Sequence, residues 1–130
     1  MINNTHPSED QEQEALFEWA RMMAKVYPCL DMLFHIPNGG RRDAATGRAL
    51  KRRGVKAGVP DICLPVASGI YHGLFIELKV GKNTPSDAQR SWISRLNGQG
   101  YCAVVCYGWQ SAREAITNYI DGGSIENGKL

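Results

Sequence analysis

The sequence predicts an α/β domain with a mixed central β-sheet flanked by helices. Stretches with apolar residues at helical spacing alternate along the chain with short apolar runs of strand length. Two of these runs are separated by a short turn and predict a hairpin. A chain of 130 residues that is 43% hydrophobic and 22% charged can bury a core of its own. These observations favour one folded α/β unit.

Each predicted element begins or ends at a recognisable signal. Ser8 can cap the first helix, with a glutamine three residues later as its capping-box partner, and Pro28 ends that run. Thr84 is predicted to cap a later helix, with Pro85 at its first position and Asp87 in its first turn. The predicted elements are, in order, helix 8–26, strand 32–36, basic helix 43–53, hairpin strands 61–66 and 71–80, helix 84–96, strand 101–107 and helix 111–120.

Length and composition also limit the possible domain organisation and cellular compartment of the protein. We expect a single domain over residues 1–120, followed by a polar, Gly-rich tail over 121–130 that frays. The N-terminus is too polar and acidic for a signal peptide, and no apolar run reaches the roughly 18 residues that span a bilayer. A soluble, intracellular protein is expected. The four cysteines have no metal-ligand spacing, so we expect buried thiols in a reducing compartment and no zinc: Cys29, Cys63, Cys102 and Cys106.

Basic residues concentrate in one stretch of the chain. Residues 41–58 contain seven basic residues and one acid, so this segment carries +6, and the rest of the chain sums to −4 for a net charge of +2. The seven are Arg41, Arg42, Arg48, Lys51, Arg52, Arg53 and Lys56. Such a concentration is typical of a surface that binds a polyanion. The alternative is a solvated helix face that only keeps the protein soluble.

Two opposite charges interrupt an apolar strand. A strand buried on both faces is normally apolar throughout, yet Glu77 and Lys79 lie two residues apart in GLFIELKV and therefore share one face. Asp61 opens the other strand of the hairpin directly after Pro60, whose ring fixes the local backbone. Asp61 can therefore meet Glu77 across the hairpin.

Neighbouring buried carboxylates suggest a cation and a hydrolytic reaction. Two such groups repel each other, and burial penalises each further, unless a divalent cation lies between them. Mg²⁺ prefers carboxylate oxygens, a nearby backbone carbonyl and water. With Lys79 beside the cation to orient a water or stabilise charge on a phosphate, the set predicts metal-assisted phosphodiester hydrolysis.

Two further polar residues could reach this site. Gln89 falls on the apolar face of the following helix, where an amide needs a hydrogen-bond partner. The carboxylate cluster could provide one, and a backbone carbonyl at the core margin is the alternative. Glu9 opens the first helix on a face that turns inward, and it could be a further acidic ligand. An acid there also complements the helix dipole with no other role, and Glu12, one turn later, competes for the same position.

Taken in order, these residues resemble the virus-type replication-repair nuclease (VRR-Nuc) domain of the PD-(D/E)xK nuclease superfamily, in its stand-alone phage and bacterial form. The resemblance covers about residues 8–120. Its motifs are Pro60-Asp61, Glu77-Leu78-Lys79, Gln89, the E-x-x-x-Q element from Glu9 to Gln13, and the segments IPNGGRR from Ile36, LKRRGVKAGVPD from Leu50 and GYCAVVCYG from Gly100.

The resemblance implies a fold, a chemistry and partners. The fold would be the restriction-endonuclease-like αβ core. Asp61 and Glu77 would bind Mg²⁺ or Mn²⁺ with help from the backbone carbonyl of Leu78, and Lys79 would be the catalytic lysine. The substrate would be DNA, and the basic segment would contact its backbone.

Single-domain members of this kind resemble structure-selective endonucleases that act as homodimers on branched DNA such as four-way (Holliday) junctions, in a bacterial cell or a phage-infected host. A minimal chain fits two sites placed by two-fold symmetry. Two alternatives stay open at this point. One is an inactive or regulatory nucleic-acid-binding module with a nuclease fold, and the other is a sequence-specific restriction-type endonuclease.

Overall fold

The protein forms a mixed four-stranded sheet with helices on both faces. The structure, a computed structural model, describes residues 7–37 and 43–122. Over these ranges the elements are α1 (Glu9–Met23), a short 3-10 helix (Pro28–Met32), β1 (Phe34–His35), α2 (Ala44–Arg52), β2 (Ile62–Leu64), β3 (Leu74–Lys79), α3 (Asp87–Gly98), β4 (Cys102–Tyr107) and α4 (Trp109–Ile120).

The strands lie in the sheet in the same order as in the chain, β1-β2-β3-β4. The β1–β2 and β2–β3 pairs are antiparallel, and the β3–β4 pair is parallel because α3 carries the chain back to the starting edge. The predicted fold class, a mixed sheet flanked by helices, is confirmed. The predicted hairpin is the β2–β3 pair.

The two faces of the sheet differ in character. On one face the alternate residues of β3 and β4 are apolar and buried beneath α1 and α4, whose Leu16 and Ile116 are fully buried. The other face carries the charged residues of β3. Helix α3 lies against that face and the β4 edge, where the side chain of Asn97 both donates to and accepts from the backbone of Ala103. The fold thus places charge on the α3 face and confines the main core to the other.

Several predicted boundaries were wrong by a few residues. Helix α1 ends at Met23, not at residue 26, and Pro28–Met32 forms the 3-10 helix, so the strand predicted over 32–36 is reduced to Phe34–His35. The hairpin strands are also shorter than predicted, because residues 65–73 form the connection, with a narrow turn closed by hydrogen bonds between Ser68 and Tyr71.

Two predicted helix starts were wrong because their capping partners lie elsewhere. The N-cap of α3 is Ser86 and not Thr84: the Ser86 hydroxyl accepts from the Gln89 N–H, and the Gln89 side chain accepts from the Ser86 N–H. Helix α4 begins at Trp109 and not at residue 111, because the Glu12 carboxylate of α1 accepts a hydrogen bond from the Trp109 N–H at 2.8 Å.

The remaining predictions concern the cysteines and the ends of the chain. Cys63, Cys102 and Cys106 are buried, and Cys29 is only partly buried. Burial raises the pKa of Cys102 to about 11 and of Cys106 to about 12, so these thiols stay protonated. No helix in the described part of the chain is both long and apolar enough to cross a bilayer. Most of the predicted tail, from residue 123 on, lies outside the described residues.

Candidate active site

Strand pairing brings Asp61 and Glu77 to the same face of the sheet. Ile62 pairs with Ile76 at the end of the β2–β3 ladder, so one step further places Asp61 opposite Glu77. The Asp61 Oδ2 atom accepts a hydrogen bond of 2.9 Å from the backbone N–H of Leu78. The meeting predicted from the hairpin therefore occurs, and the Asp61 carboxylate is held by the strand that carries Glu77.

The loop before Asp61 is fixed against α3. Gly58 has a φ of 91°, and a Cβ on it would lie 2.6 Å from the backbone carbonyl carbon of Ala88. The carbonyl of Ala57 accepts a hydrogen bond of 3.2 Å from the indole N–H of Trp92. These two contacts anchor the segment that delivers Asp61 to the helix that carries Gln89, so both residues are positioned by one interface.

A methyl group at residue 58 tests this anchoring. We expect Gly58→Ala to destabilise the protein by roughly 2–4 kcal/mol, because it combines left-handed backbone strain with overpacking against a backbone that cannot move aside. Gly54→Ala is the matched control, since Gly54 has a φ of 102° but nothing within 4 Å of the added Cβ. Urea denaturation of both variants checks the difference, and equal losses would contradict the close contact with α3.

Glu77 is a buried carboxylate in which one oxygen accepts a hydrogen bond and the other has no partner among the described residues. Its residue is 1% exposed, the one buried charged residue of the described chain. The Oε2 atom accepts a hydrogen bond of 3.0 Å from the Gln89 amide and lies 3.8 Å from the Lys79 ammonium nitrogen. The Oε1 atom is buried and has no hydrogen-bond partner among the described residues. Such an atom is costly unless something occupies its lone pairs.

The surroundings of Glu77 favour its neutral form. Burial raises the pKa of Glu77 to about 8, and charge repulsion from the adjacent Asp61 adds to the shift. The charge of Glu9 also raises this pKa, and the charge of Lys79 opposes the shift. Ionisation of Glu77 is therefore disfavoured by burial and by two neighbouring acids, and Lys79 offsets only part of this effect.

The structure separates the two candidate acids of α1. Glu12 is engaged at the start of α4, through the Trp109 N–H. Glu9 is partly buried in the first turn of α1, and its charge acts on Glu77. Of the two acids, Glu9 is thus the one whose charge acts on Glu77.

The described part of the basic segment is exposed and leads directly into the Asp61 loop. Helix α2 is capped by Asp43, whose carboxylate accepts from the Thr46 N–H at 2.7 Å, and it contains no buried residue. The exposed basic residues of this part are Arg48, Lys51, Arg52, Arg53 and Lys56. The predicted contacts Arg41 and Arg42 lie outside the described residues.

The donor atoms fit an open site for a hard divalent cation. No group of three or more His, Cys, Asp or Glu side chains that could enclose a metal occurs among residues 7–37 and 43–122. Mg²⁺, however, is usually held by one or two carboxylates and keeps several waters. The Asp61 and Glu77 pair, with the unmatched Oε1 of Glu77, offers that kind of donor set.

His35, at the end of β1, is a neighbour of the Asp61 backbone. The His35 ring Nδ1 lies 2.9 Å from the Asp61 carbonyl oxygen, which also accepts from the Ile36 N–H at 2.6 Å. These contacts depend on how β1 pairs with β2, and β1 is only two residues long. Nothing in the local sequence pattern indicates that register.

The fold and the site together define an αβ domain of the nuclease type. A sequence model of the VRR-NUC domain matches residues 7–110, and the chain belongs to the VRR-NUC domain family. The resemblance inferred from the motifs is therefore confirmed. The family is one of nucleases, so the substrate class that it implies is DNA.

A solved structure agrees with this assignment. A protein described as "VRR_NUC domain protein" is 33% identical, with a TM-score of 0.80, and the match covers 99% of this chain and 100% of that one. No curated protein matches the chain.

Proposed function

We propose that the protein is a divalent-metal-dependent DNA endonuclease that selects branched DNA, four-way (Holliday) junctions among them, and acts as a homodimer. The observation that carries the catalytic part is the Glu77 carboxylate: buried, paired with Asp61, and left with one oxygen that no described residue satisfies. A protein keeps such a costly group where its reaction uses it.

The proposed cation ligands are Asp61, Glu77 and the backbone carbonyl of Leu78, with Glu9 as a further acid. A bound Mg²⁺ or Mn²⁺ would supply Lewis acidity toward a phosphate oxygen and toward the attacking water. Gln89 orients the Glu77 carboxylate by donating to Oε2, and Oε1, which has no partner among the described residues, would be the oxygen that holds the cation. The Leu78 N–H holds Asp61 in the same way.

Lys79 is the proposed catalytic lysine. Its side chain is only 12% exposed, so its charge acts at short range with little screening by water. From its position beside Glu77 the ammonium can orient the attacking water or stabilise the negative charge that develops on the phosphate. The alternation of β3 keeps Lys79 on the face of Glu77, which ties both roles to one strand.

The basic segment is the proposed DNA-backbone surface, and it yields a prediction of its own. We expect the double substitution Lys51→Ala and Arg52→Ala to weaken DNA binding and to lower the slope of log affinity against log salt by about 1 for each lost phosphate contact. Fluorescence anisotropy at several salt concentrations measures the slope. Arg21→Ala, an exposed residue in the last turn of α1, is the control. An unchanged slope in the double variant would contradict phosphate contact by α2.

Selection of branched DNA and assembly as a homodimer rest on the resemblance to single-domain nucleases. Two identical sites related by two-fold symmetry could cut two strands of a junction symmetrically. The experiment that tests the whole proposal uses linear, flapped, splayed and four-way substrates with Mg²⁺, with Mn²⁺ and with EDTA, and maps each cut. We expect cleavage that needs the metal and favours branched substrates, from a species of twice the chain mass. Cleavage that follows one short sequence in linear duplexes would instead favour a restriction-type enzyme, and no cleavage with intact binding would favour the inactive module.

A further inference from the structure

Tyr107 is an exposed aromatic residue at the rim of the candidate active site. It is the last residue of β4, it is 46% exposed, and in the parallel ladder it is the register partner of Lys79. Residues in register on neighbouring strands point to the same face, and the strands lie about 4.8 Å apart. The Tyr107 ring therefore stands beside Lys79 on the face that carries Glu77.

The backbone beneath this ring is fixed, and the ring itself is open. The Gly108 N–H donates to the Lys79 carbonyl at 3.0 Å, and the Trp109 N–H donates to Glu12 at 2.8 Å. Among the described residues, none makes a hydrogen bond or a ring contact with the side chain of Tyr107. A rigidly supported, solvent-facing aromatic ring is the arrangement that proteins use to stack nucleic-acid bases.

We propose that the base next to the scissile phosphate stacks on the ring of Tyr107. The inference rests on the proposed function and names a contact of the same site. If Lys79 acts on the scissile phosphate, Tyr107 on the adjacent strand lies where it can contact the neighbouring nucleotide. An aromatic ring at this position can stack on any base, whatever its identity. A base within a continuous duplex has both faces covered, whereas a base at a branch point can be unstacked. Tyr107 thus favours substrates by their structure and not by their sequence.

Three substitutions of Tyr107 distinguish the contribution of its aromatic ring to DNA binding from the contributions of its hydroxyl group and of its apolar volume. Tyr107→Phe keeps the ring, Tyr107→Leu keeps apolar volume without a π-face, and Tyr107→Ala removes both. Affinity for a four-way junction is measured by anisotropy in Ca²⁺ with the DNA intact. We expect the Phe variant to bind like wild type and the Leu and Ala variants to bind about tenfold more weakly, as for loss of one stacked base. Ile70→Ala, at the 86% exposed tip of the hairpin, is the control for loss of an exposed apolar side chain.

Single abasic sites placed along the junction strands identify the stacked base. At one abasic position, the affinity of wild type should fall to the affinity that Tyr107→Ala has for intact DNA. The affinity of Tyr107→Ala should not fall further when the same abasic site is introduced. The proposal is overturned if the Leu variant binds like wild type, if the Phe variant loses as much as the Ala variant, or if no abasic position removes the difference. Because binding is measured without cleavage, these outcomes are separate from loss of metal-dependent cutting, which would overturn the proposed nuclease function.

Discussion

Substitution of Lys79 by alanine is expected to reduce DNA cleavage by about 100- to 1,000-fold, the loss typical of removing one group that stabilises transition-state charge. The reason is the position of Lys79, 12% exposed and with its ammonium nitrogen 3.8 Å from Glu77 Oε2. DNA binding in Ca²⁺ should stay near the wild-type value, because one partly buried lysine contributes little to backbone contact over the whole interface. Single-turnover cleavage of a junction in Mg²⁺ and anisotropy in Ca²⁺ separate the two quantities.

A nearby lysine provides the matched control for this loss. Lys82 lies three residues later, in the exposed turn after β3, and Lys82→Ala should cleave within a few-fold of wild type. Lys79→Met, which keeps the length and loses the charge, should fail like Lys79→Ala. Cleavage by Lys79→Ala at the wild-type rate would remove the lysine from the mechanism, and an equal fall in binding and cleavage would make it a DNA contact only.

The central part of the site could be predicted because it depends on local geometry. Alternation along one strand places Glu77 and Lys79 on one face whatever surrounds them. Asp61 is joined to Glu77 through a hairpin, so the pairing of two strands that are neighbours in the chain suffices to bring the carboxylates together. The position of Gln89 on the apolar face of its helix likewise follows from helical periodicity, and its bond to Glu77 resolves the alternatives left open by the sequence.

Other features depend on contacts between residues far apart in the chain, and local patterns carry no information about them. Glu9 and Glu12 differ in a contact with α4, where the Glu12 carboxylate accepts a hydrogen bond from the Trp109 N–H. Gly58 looks like an ordinary turn glycine until α3 is packed against it. The α3 start is a different case: Thr84 and Ser86 are both acceptable caps, and the reciprocal bond with Gln89 selects Ser86.

Substitution of Glu77 by glutamine is expected to abolish cleavage and, at the same time, to stabilise the metal-free protein by on the order of 2–3 kcal/mol at pH 7. The amide keeps the size of the side chain and can still accept a hydrogen bond from Gln89, but it carries no charge to be repelled by Asp61 and Glu9. Its loss of charge also removes the proposed cation ligand, so activity and stability should move in opposite directions. Thermal or urea denaturation in EDTA measures the stability, and junction cleavage in Mg²⁺ measures the activity.

The pH dependence follows from the direction of the pKa shift. The pKa of Glu77 is raised from 4.5 in the unfolded chain to about 8 in the folded protein. Between these values the folded state binds more protons than the unfolded state, so the free energy of unfolding falls as pH rises. In EDTA, wild type should therefore lose stability from about pH 5 to pH 8 relative to Glu77→Gln, with the two proteins similar below that range. Glu18→Gln, an exposed acid on α1, should leave the wild-type profile unchanged within about 0.5 kcal/mol.

Addition of Mg²⁺ links the stability of the site to its proposed role. A cation that binds the folded state alone stabilises it in proportion to the logarithm of its concentration over the dissociation constant. It should raise the melting temperature of wild type most at pH 8, where the uncompensated charge of Glu77 and Asp61 is greatest, and should have little effect on Glu77→Gln. A wild-type melting temperature that does not respond to Mg²⁺ or Mn²⁺, together with a Glu77→Gln variant no more stable than wild type in EDTA, would contradict the carboxylate pair as a cation site. If Mg²⁺ raised the melting temperature of wild type and of Glu77→Gln equally, the cation would bind elsewhere, because the Glu77 carboxylate would then make no difference to cation binding.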